Sequence, residues 1–275
     1  MTDSNDNNIA QLPLNEGVRL LAHNEDGLVA LDKPVGAMSH PNTAEENHRA
    51  LLTVDYDLES ECYHWTDSDG HARKVWLINR LDSPTSGVIL LGLNAEISQL
   101  IKGEFASHRV TKTYYALVRG TPEKPAGAWS DKLSKDVHCG KRVIKKARFV
   151  SAKARYQMVK SPTGGFPVTL LKLFPLTGRT HQLRVQCKQH KLPIVGDRSY
   201  GNFSFNREVA EHTAVKRMLL HSAETIVRYS YRGKVREFRA ESELPEDFQE
   251  VIRYRPGLNH GKVPSPVLAR RRFKL

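Results

Sequence analysis

Val75-Trp76-Leu77-Ile78-Asn79-Arg80-Leu81-Asp82-Ser83-Pro84-Thr85-Ser86-Gly87, followed by the apolar run 88–93, is the stretch that decides how this chain is read. Two apolar runs of strand length flank a Pro/Ser/Thr/Gly break, the pattern of two buried strands joined by a short polar connection. The connection carries one carboxylate, Asp82, beside Arg80. An acid held there is fixed by the strands yet reaches a cleft, as a catalytic group must. Asp also caps turns in many proteins, and this stretch alone leaves both readings open.

Upstream, residues 18–22 and 28–31 read as a hairpin around Asn24-Glu25-Asp26-Gly27, since Asp-Gly between apolar runs favours the tight turn. The second strand runs into Asp32-Lys33-Pro34-Val35-Gly36. Residues 49–58 are predicted helical, and residues 61–71 a polar loop. Cys62, His64 and His71 in that loop lack the second close pair a structural zinc site requires, so no metal is expected. Residues 1–15 are polar, carry no Lys or Arg, and are predicted to be disordered; they do not resemble a signal peptide.

Downstream, Asn94 is a helix N-cap, with Ile97, Leu100, Ile101 and Phe105 on one face. Residues 112–118 form a β-rich strand in which Tyr114 and Tyr115 point to opposite faces. Residues 120–146 are the least regular segment. Lys141, Arg142, Lys145, Lys146 and Arg148 cluster at its end, a candidate phosphate patch or a solvated charged hairpin. Residues 152–159 and 166–174 read as paired strands. A helix over residues 181–190, capped by Thr180, carries Arg184, with Leu183 and Cys187 on its apolar stripe. Residues 193–201 read as strand and turn, and residues 217–222, 225–231 and 235–240 as strands. A short amphipathic helix spans residues 245–253, and residues 257–275 are expected to form a basic tail that is mobile or ordered only on RNA.

The net charge of +12 points to a polyanionic partner, nucleic acid first. No apolar run is long enough to span a bilayer, and the three widely spaced cysteines suit reduced thiols, so a cytoplasmic protein without a membrane partner is expected. Neither G-x-x-x-x-G-K-[ST] nor G-x-G-x-x-G occurs, so no nucleotide cofactor is indicated.

Taken in order, four blocks resemble the motifs of the RluA-type RNA pseudouridine synthases: Asp32-Lys33-Pro34-x-Gly36; Asn79-Arg80-Leu81-Asp82-x-x-Thr85-Ser86-Gly87; Lys112-x-Tyr114-x-Ala116-Leu117-Val118-x-Gly120; and Gly178-Arg179-Thr180-His181-Gln182-Leu183-Arg184-Val185 with Pro193-Ile194-x-Gly196-Asp197-x-x-Tyr200-Gly201. Each block alone is a weak pattern; the ordered set is specific. Asp32, Asn79 and Gln186 depart from the family's usual Asn, His and His, and the latter two bear on substrate positioning rather than chemistry.

The resemblance implies an α+β fold with a mixed, largely antiparallel central sheet, flanking helices and an RNA cleft across the sheet. It implies one catalytic domain over residues 16–256 without an added S4 domain, acting as a monomer on tRNA or rRNA. It also implies that Asp82 is the catalytic carboxylate, acting as nucleophile or base, and that Arg184 pairs with it. A nearby cation keeps such an acid ionised, and a guanidinium fixes its direction better than lysine could. Tyr114 stacks on the target base and accepts the carbon-5 proton, and Leu183 lines the pocket. Arg80 fills the space of the everted base, contacts phosphate or stabilises its turn. Lys33, grouped with the substrate-contacting residues, supports the Asp82 loop rather than catalysing. The reaction changes neither composition nor oxidation state, so no cofactor is implied. Two other readings remain: a non-catalytic RNA-binding protein on the same scaffold, and a glycosidase, which needs a second carboxylate facing Asp82.

Overall fold

The computed structural model describes residues 9, 11–134, 149–161 and 164–257. Its frame is a 12-stranded sheet whose main path runs β3-β4-β5-β6-β11-β7-β10-β9-β8. The strands are β1 (Arg19–His23), β2 (Leu28–Lys33), β3 (Asp55–Asp57), β4 (Cys62–Thr66), β5 (Ala72–Leu77), β6 (Ser86–Gly92), β7 (Thr111–Arg119), β8 (Ala126–Ser134), β9 (Phe149–Lys160), β10 (Val168–Pro175), β11 (Leu220–Tyr231) and β12 (Lys234–Glu241). Strand β1 pairs with β2, β2 also with β6, and β12 with β11. The helices are α1 (Ala95–Ala106), α2 (Gln182–Gln189), α3 (Phe203–Thr213) and α4 (Glu246–Arg253). The fold is thus the mixed α+β architecture with a mostly antiparallel sheet that the motifs implied.

The sheet has two halves, β1–β6 and β7–β12, and one seam. At the seam β6 and β11 run parallel, with Ser86 opposite His221 and Gly87 opposite Ser222. The pairing explains Gly87: its φ is +107°, and a Cβ there would collide with the Ser222 backbone. Beside it, the Ser86 hydroxyl accepts from Arg217 Nη2 (2.5 Å) and donates to His221 Nδ1 (2.9 Å), while His221 Nε2 reaches the Ser242 carbonyl (3.2 Å). Strand β6 is buried along its whole length. Ile89 and Leu91 join the core of the first half, while Val88 and Leu90 pack under α1. Burial on both faces requires the continuous apolar run seen there.

Several segments differ from the expectations drawn from sequence. Residues 49–58 do not form the predicted helix: a 3-10 helix ends at Arg49, having begun at Ala44, and β3 follows. The polar loop over residues 61–71 contains β4, because Tyr63 sits opposite Val75 and is buried with it. Residues 126–134 form β8, a strand whose inward residues are Trp129 and Leu133. Residues 203–213, not anticipated, form α3, capped by the Asn202 side chain on Phe205 N (3.0 Å). Helix α2 begins at His181 in a left-handed conformation, not at a Thr180 cap. Nor is the start of the chain loose up to Asn15: Leu12 is buried, Leu14 bridges to Leu52, and Asn15 N donates to Leu51 O (2.9 Å). The basic cluster at residues 141–148 and the tail from residue 258 lie outside the described residues.

Candidate active site

Asp82 stands on the connection entering β6, at the seam. The connection is pinned from below. Ser39 Oγ donates to Leu81 O (2.8 Å) and accepts from Leu81 N (3.0 Å), Gly36 N donates to Ser83 O (2.9 Å), and Thr85 N closes a turn onto Asp82 O (2.9 Å). Lys33 is fully buried beneath it. Its ammonium donates to the carbonyls of Ala37 (2.6 Å), Ser83 (3.0 Å) and Pro34 (3.1 Å). Burial pushes its pKa down to about 7, against the attraction of Asp82. With its donors spent on backbone, Lys33 does not stand among the residues lining the cleft, so the structure does not bring it to the substrate side.

The Asp82 carboxylate itself remains a quarter exposed and faces a cleft of about 700 Å³. Arg80, Tyr114, Leu183 and Arg184 line the same cleft. Four of the expected groups therefore surround the acid, although they come from three separate stretches of chain.

Helix α2 delivers Arg184. Its Nη1 donates to Asp82 Oδ2 (3.1 Å). Its Nε and Nη2 form a fork on Asp197, at 2.8 Å to Oδ2 and 3.0 Å to Oδ1. Both side chains of that fork are buried, Asp197 completely. The Asp197 carboxylate also accepts from Ser199 N (2.8 Å) and Tyr200 N (3.0 Å). Burial works against the charge of Asp197, but Arg184 and these amides outweigh it and hold its pKa below the usual range. Burial likewise opposes the Arg184 charge, and Asp197 with Asp82 raises the guanidinium pKa above its ordinary value. Arg184 is therefore a rigid bridge: two of its bonds anchor it and one steers Asp82. Asp197 lay within a motif, but its pairing with Arg184 is set by a fold-back of the chain that local pattern does not reveal.

Tyr114, on β7, packs against the cores of both half-sheets while its ring reaches the cleft. Burial pushes its phenol up to about 12, with Asp82 adding to the effect. Tyr115 faces the other way, toward the core under α4. Arg80 is exposed at the rim of the cleft. Two departures from the family pattern find local roles. Asn79 Oδ1 accepts from Leu90 N (2.8 Å), holding the lead-in to the Asp82 turn against β6. Gln186 is fully buried below the site and donates to Asp131 Oδ2 (2.7 Å), away from the cleft.

Asp82 is the one carboxylate among the cleft-lining residues described, so the facing acid that a paired-carboxylate glycosidase needs is not there. Among the described residues, the one cluster of metal-ligating side chains includes neither Cys62 nor His64. Asp67, Asp69 and His71 do come together, but Asp67 is committed to Arg73 Nε (2.6 Å) and to the amides of Asp69 (3.0 Å) and His71 (2.8 Å).

Comparison with known proteins agrees with this geometry. The model of the RNA pseudouridylate synthase family matches residues 27–189. A tRNA pseudouridine synthase C of Haemophilus ducreyi is 34% identical over 213 residues, covering 74% of this chain and 82% of the relative. The protein of the same name from Salmonella typhimurium strain LT2 is 29% identical over 227 residues, covering 78% and 82%. Among solved structures, human RNA pseudouridylate synthase domain containing 4 superposes with a TM-score of 0.60 at 23% identity, over 84% of this chain and 90% of that one, a likeness of fold. The chain belongs to the RNA pseudouridylate synthase family.

Proposed function

From that membership, we propose that this isomerase converts a uridine of tRNA to pseudouridine, with Asp82 as its catalytic carboxylate. The observation that carries the assignment is the Asp197–Arg184–Asp82 chain ending in a cleft beside Tyr114. The choice of tRNA rests on the names of the relatives. Isomerisation breaks the bond from ribose carbon 1′ to uracil nitrogen 1 and makes one to carbon 5. A proton leaves carbon 5 and one is gained at nitrogen 1, so no oxidant or added group is consumed.

The base must leave its stack to reach Asp82, and a cleft of about 700 Å³ has room for an everted nucleotide. Asp82 acts on the nucleoside as nucleophile or base. Arg184 aims it through its hydrogen bond to Oδ2. Tyr114 contacts the turned base and takes up the carbon-5 proton as its phenol passes its own proton toward nitrogen 1, Leu183 bounds the pocket, and Arg80 at the rim contacts phosphate or takes the place of the everted base. The basic residues Lys141, Arg142, Lys145 and Lys146, with the tail, supply further phosphate contacts to the catalytic domain, which works as a monomer in the cytoplasm.

The test is a pseudouridine map of tRNA and ribosomal RNA from cells with and without the gene. One tRNA position should lose its pseudouridine and regain it from the wild-type gene but not from Asp82→Asn. Loss confined to ribosomal RNA would overturn the choice of tRNA. Restoration by Asp82→Asn would overturn the assignment of the acid.

A further inference from the structure

One side chain of the cleft has no part in the scheme above. His181 sits between Asp82 and Tyr200. Its Nδ1 lies 3.1 Å from the Tyr200 hydroxyl, and its Nε2 lies 3.8 Å from Asp82 Oδ1. The ring is about a quarter exposed and lines the cleft. Its backbone is left-handed, at φ 52° and ψ 20°, in a helix-capping position that normally takes extended geometry, and the side chain caps nothing. Such a conformation is costly for a residue with a Cβ and persists where the surroundings enforce it.

The contacts decide which nitrogen carries the proton. An N–H dipole directed at the Asp82 carboxylate is favoured over a lone pair directed there, which puts the proton on Nε2. Nδ1 is then the acceptor and the Tyr200 hydroxyl the donor. Arg184 lies over the Tyr200 ring with 5.1 Å from Cζ to the centroid, so the ring that carries the hydroxyl packs against the same arginine that holds Asp82. The two oxygens of Asp82 thereby become different. Oδ2 is tied to Arg184, while Oδ1 faces Nε2 across a gap too long for a hydrogen bond. A gap of 3.8 Å suits one oxygen atom set about 2.8 Å from each side, accepting from Nε2–H and donating its own proton to Oδ1.

We propose that His181 Nε2 and Asp82 Oδ1 together bind one ribose hydroxyl of the target nucleotide, the 2′-hydroxyl, which a site must hold to tell RNA from DNA. The assignment rests on the uridine-isomerase reading. It makes His181 a substrate-contacting residue and Tyr200 the residue that positions it.

The experiment uses a short RNA stem-loop built around the uridine that the pseudouridine map identifies, made with ribose or with 2′-deoxyribose at that one residue. Wild type, His181→Phe, His181→Gln and Tyr200→Phe are compared for binding and for turnover. Wild type should bind the ribose form about tenfold more tightly than the deoxy form, the worth of a hydrogen bond to a charged partner. His181→Phe, which keeps the Asp82 contact, should bind the deoxy form as wild type does and the ribose form several-fold more weakly than wild type, so that only part of the preference remains. His181→Gln, which keeps a donor amide, should recover part of the preference, and Tyr200→Phe should lose part of it. Equal weakening of both RNAs by His181→Phe, or an undiminished preference in that variant, would overturn the assignment. Absence of pseudouridine from every RNA treated with wild type would instead reject the isomerase reading, and the binding comparison would still decide the role of His181.

Discussion

Replacing Arg184 with lysine keeps the charge and removes the fork. Arginine makes three charge-assisted contacts here, two to Asp197 at 2.8 and 3.0 Å and one to Asp82 at 3.1 Å. A lysine ammonium is a single point on a flexible stem and cannot serve both carboxylates with that geometry. Asp197 is fully buried and also bound by two backbone amides, so it retains the ammonium, and Asp82 loses its partner. Two hydrogen bonds to charged groups are lost, each worth about 1.5–3 kcal/mol. The Asp82 side is partly open to water, which offsets its share, so the expected destabilisation is about 3 kcal/mol. Urea denaturation of R184K should show it as a lower midpoint with unchanged slope. The catalytic effect should exceed what lost stability explains. An acid displaced by about 1 Å costs roughly a hundredfold in rate. Release of tritium from RNA labelled at carbon 5 of uracil, measured where R184K is fully folded, should fall by about that factor, mostly in kcat. A folded R184K with wild-type turnover would refute the steering role of Arg184. A pure rise in KM would make it an RNA contact instead.

Other consequences follow from the same geometry. Gly87→Ala places a methyl group against the Ser222 backbone at a positive φ, so it should part the two half-sheets, lowering the melting temperature and abolishing turnover together. His221 is buried, and burial pushes its pKa from 6.5 down to about 4. The unfolded chain then binds the extra proton first, so the stability from this group is complete above pH 6.5 and is lost as the pH falls toward 4. That loss should amount to about 3 kcal/mol, and His221→Asn should flatten the pH dependence of the urea midpoint over that window. Arg80→Ala removes an exposed cation from the rim; it should raise KM several-fold at low salt and reduce the salt dependence of RNA binding, with kcat nearly unchanged.

Much of the site was legible because its signals are local. The Asp82 turn is bracketed by strand-length apolar runs, and the alternation of a β-strand sends Tyr114 and Tyr115 to opposite faces whatever else the chain does. The Asp-Gly hairpin and the Asn94 cap are likewise written in neighbouring residues. What was not legible depends on partners far away in sequence. Strand β8 is polar on its exposed face and carries only Trp129 and Leu133 inward, so it reads as loop until β9 is laid beside it. Tyr63 and Trp65 sit among polar residues, and their strand exists because β5 pairs with it. Helix α3 buries just Phe205 and Val209, too sparse a stripe to stand out. Asp197 and His181 were visible as motif residues without a role. The role of Asp197 appears once helix α2 folds back over the turn after it, and that of His181 once the seam brings Asp82 to the same cleft.

The most direct test of the account is tritium release by purified Asp82→Asn, a change that preserves size and removes the charge that Arg184 holds. The variant should fold, bind RNA within about tenfold of wild-type affinity and release no tritium above background. Release at the wild-type rate would mean that the chemistry belongs to another group in the cleft.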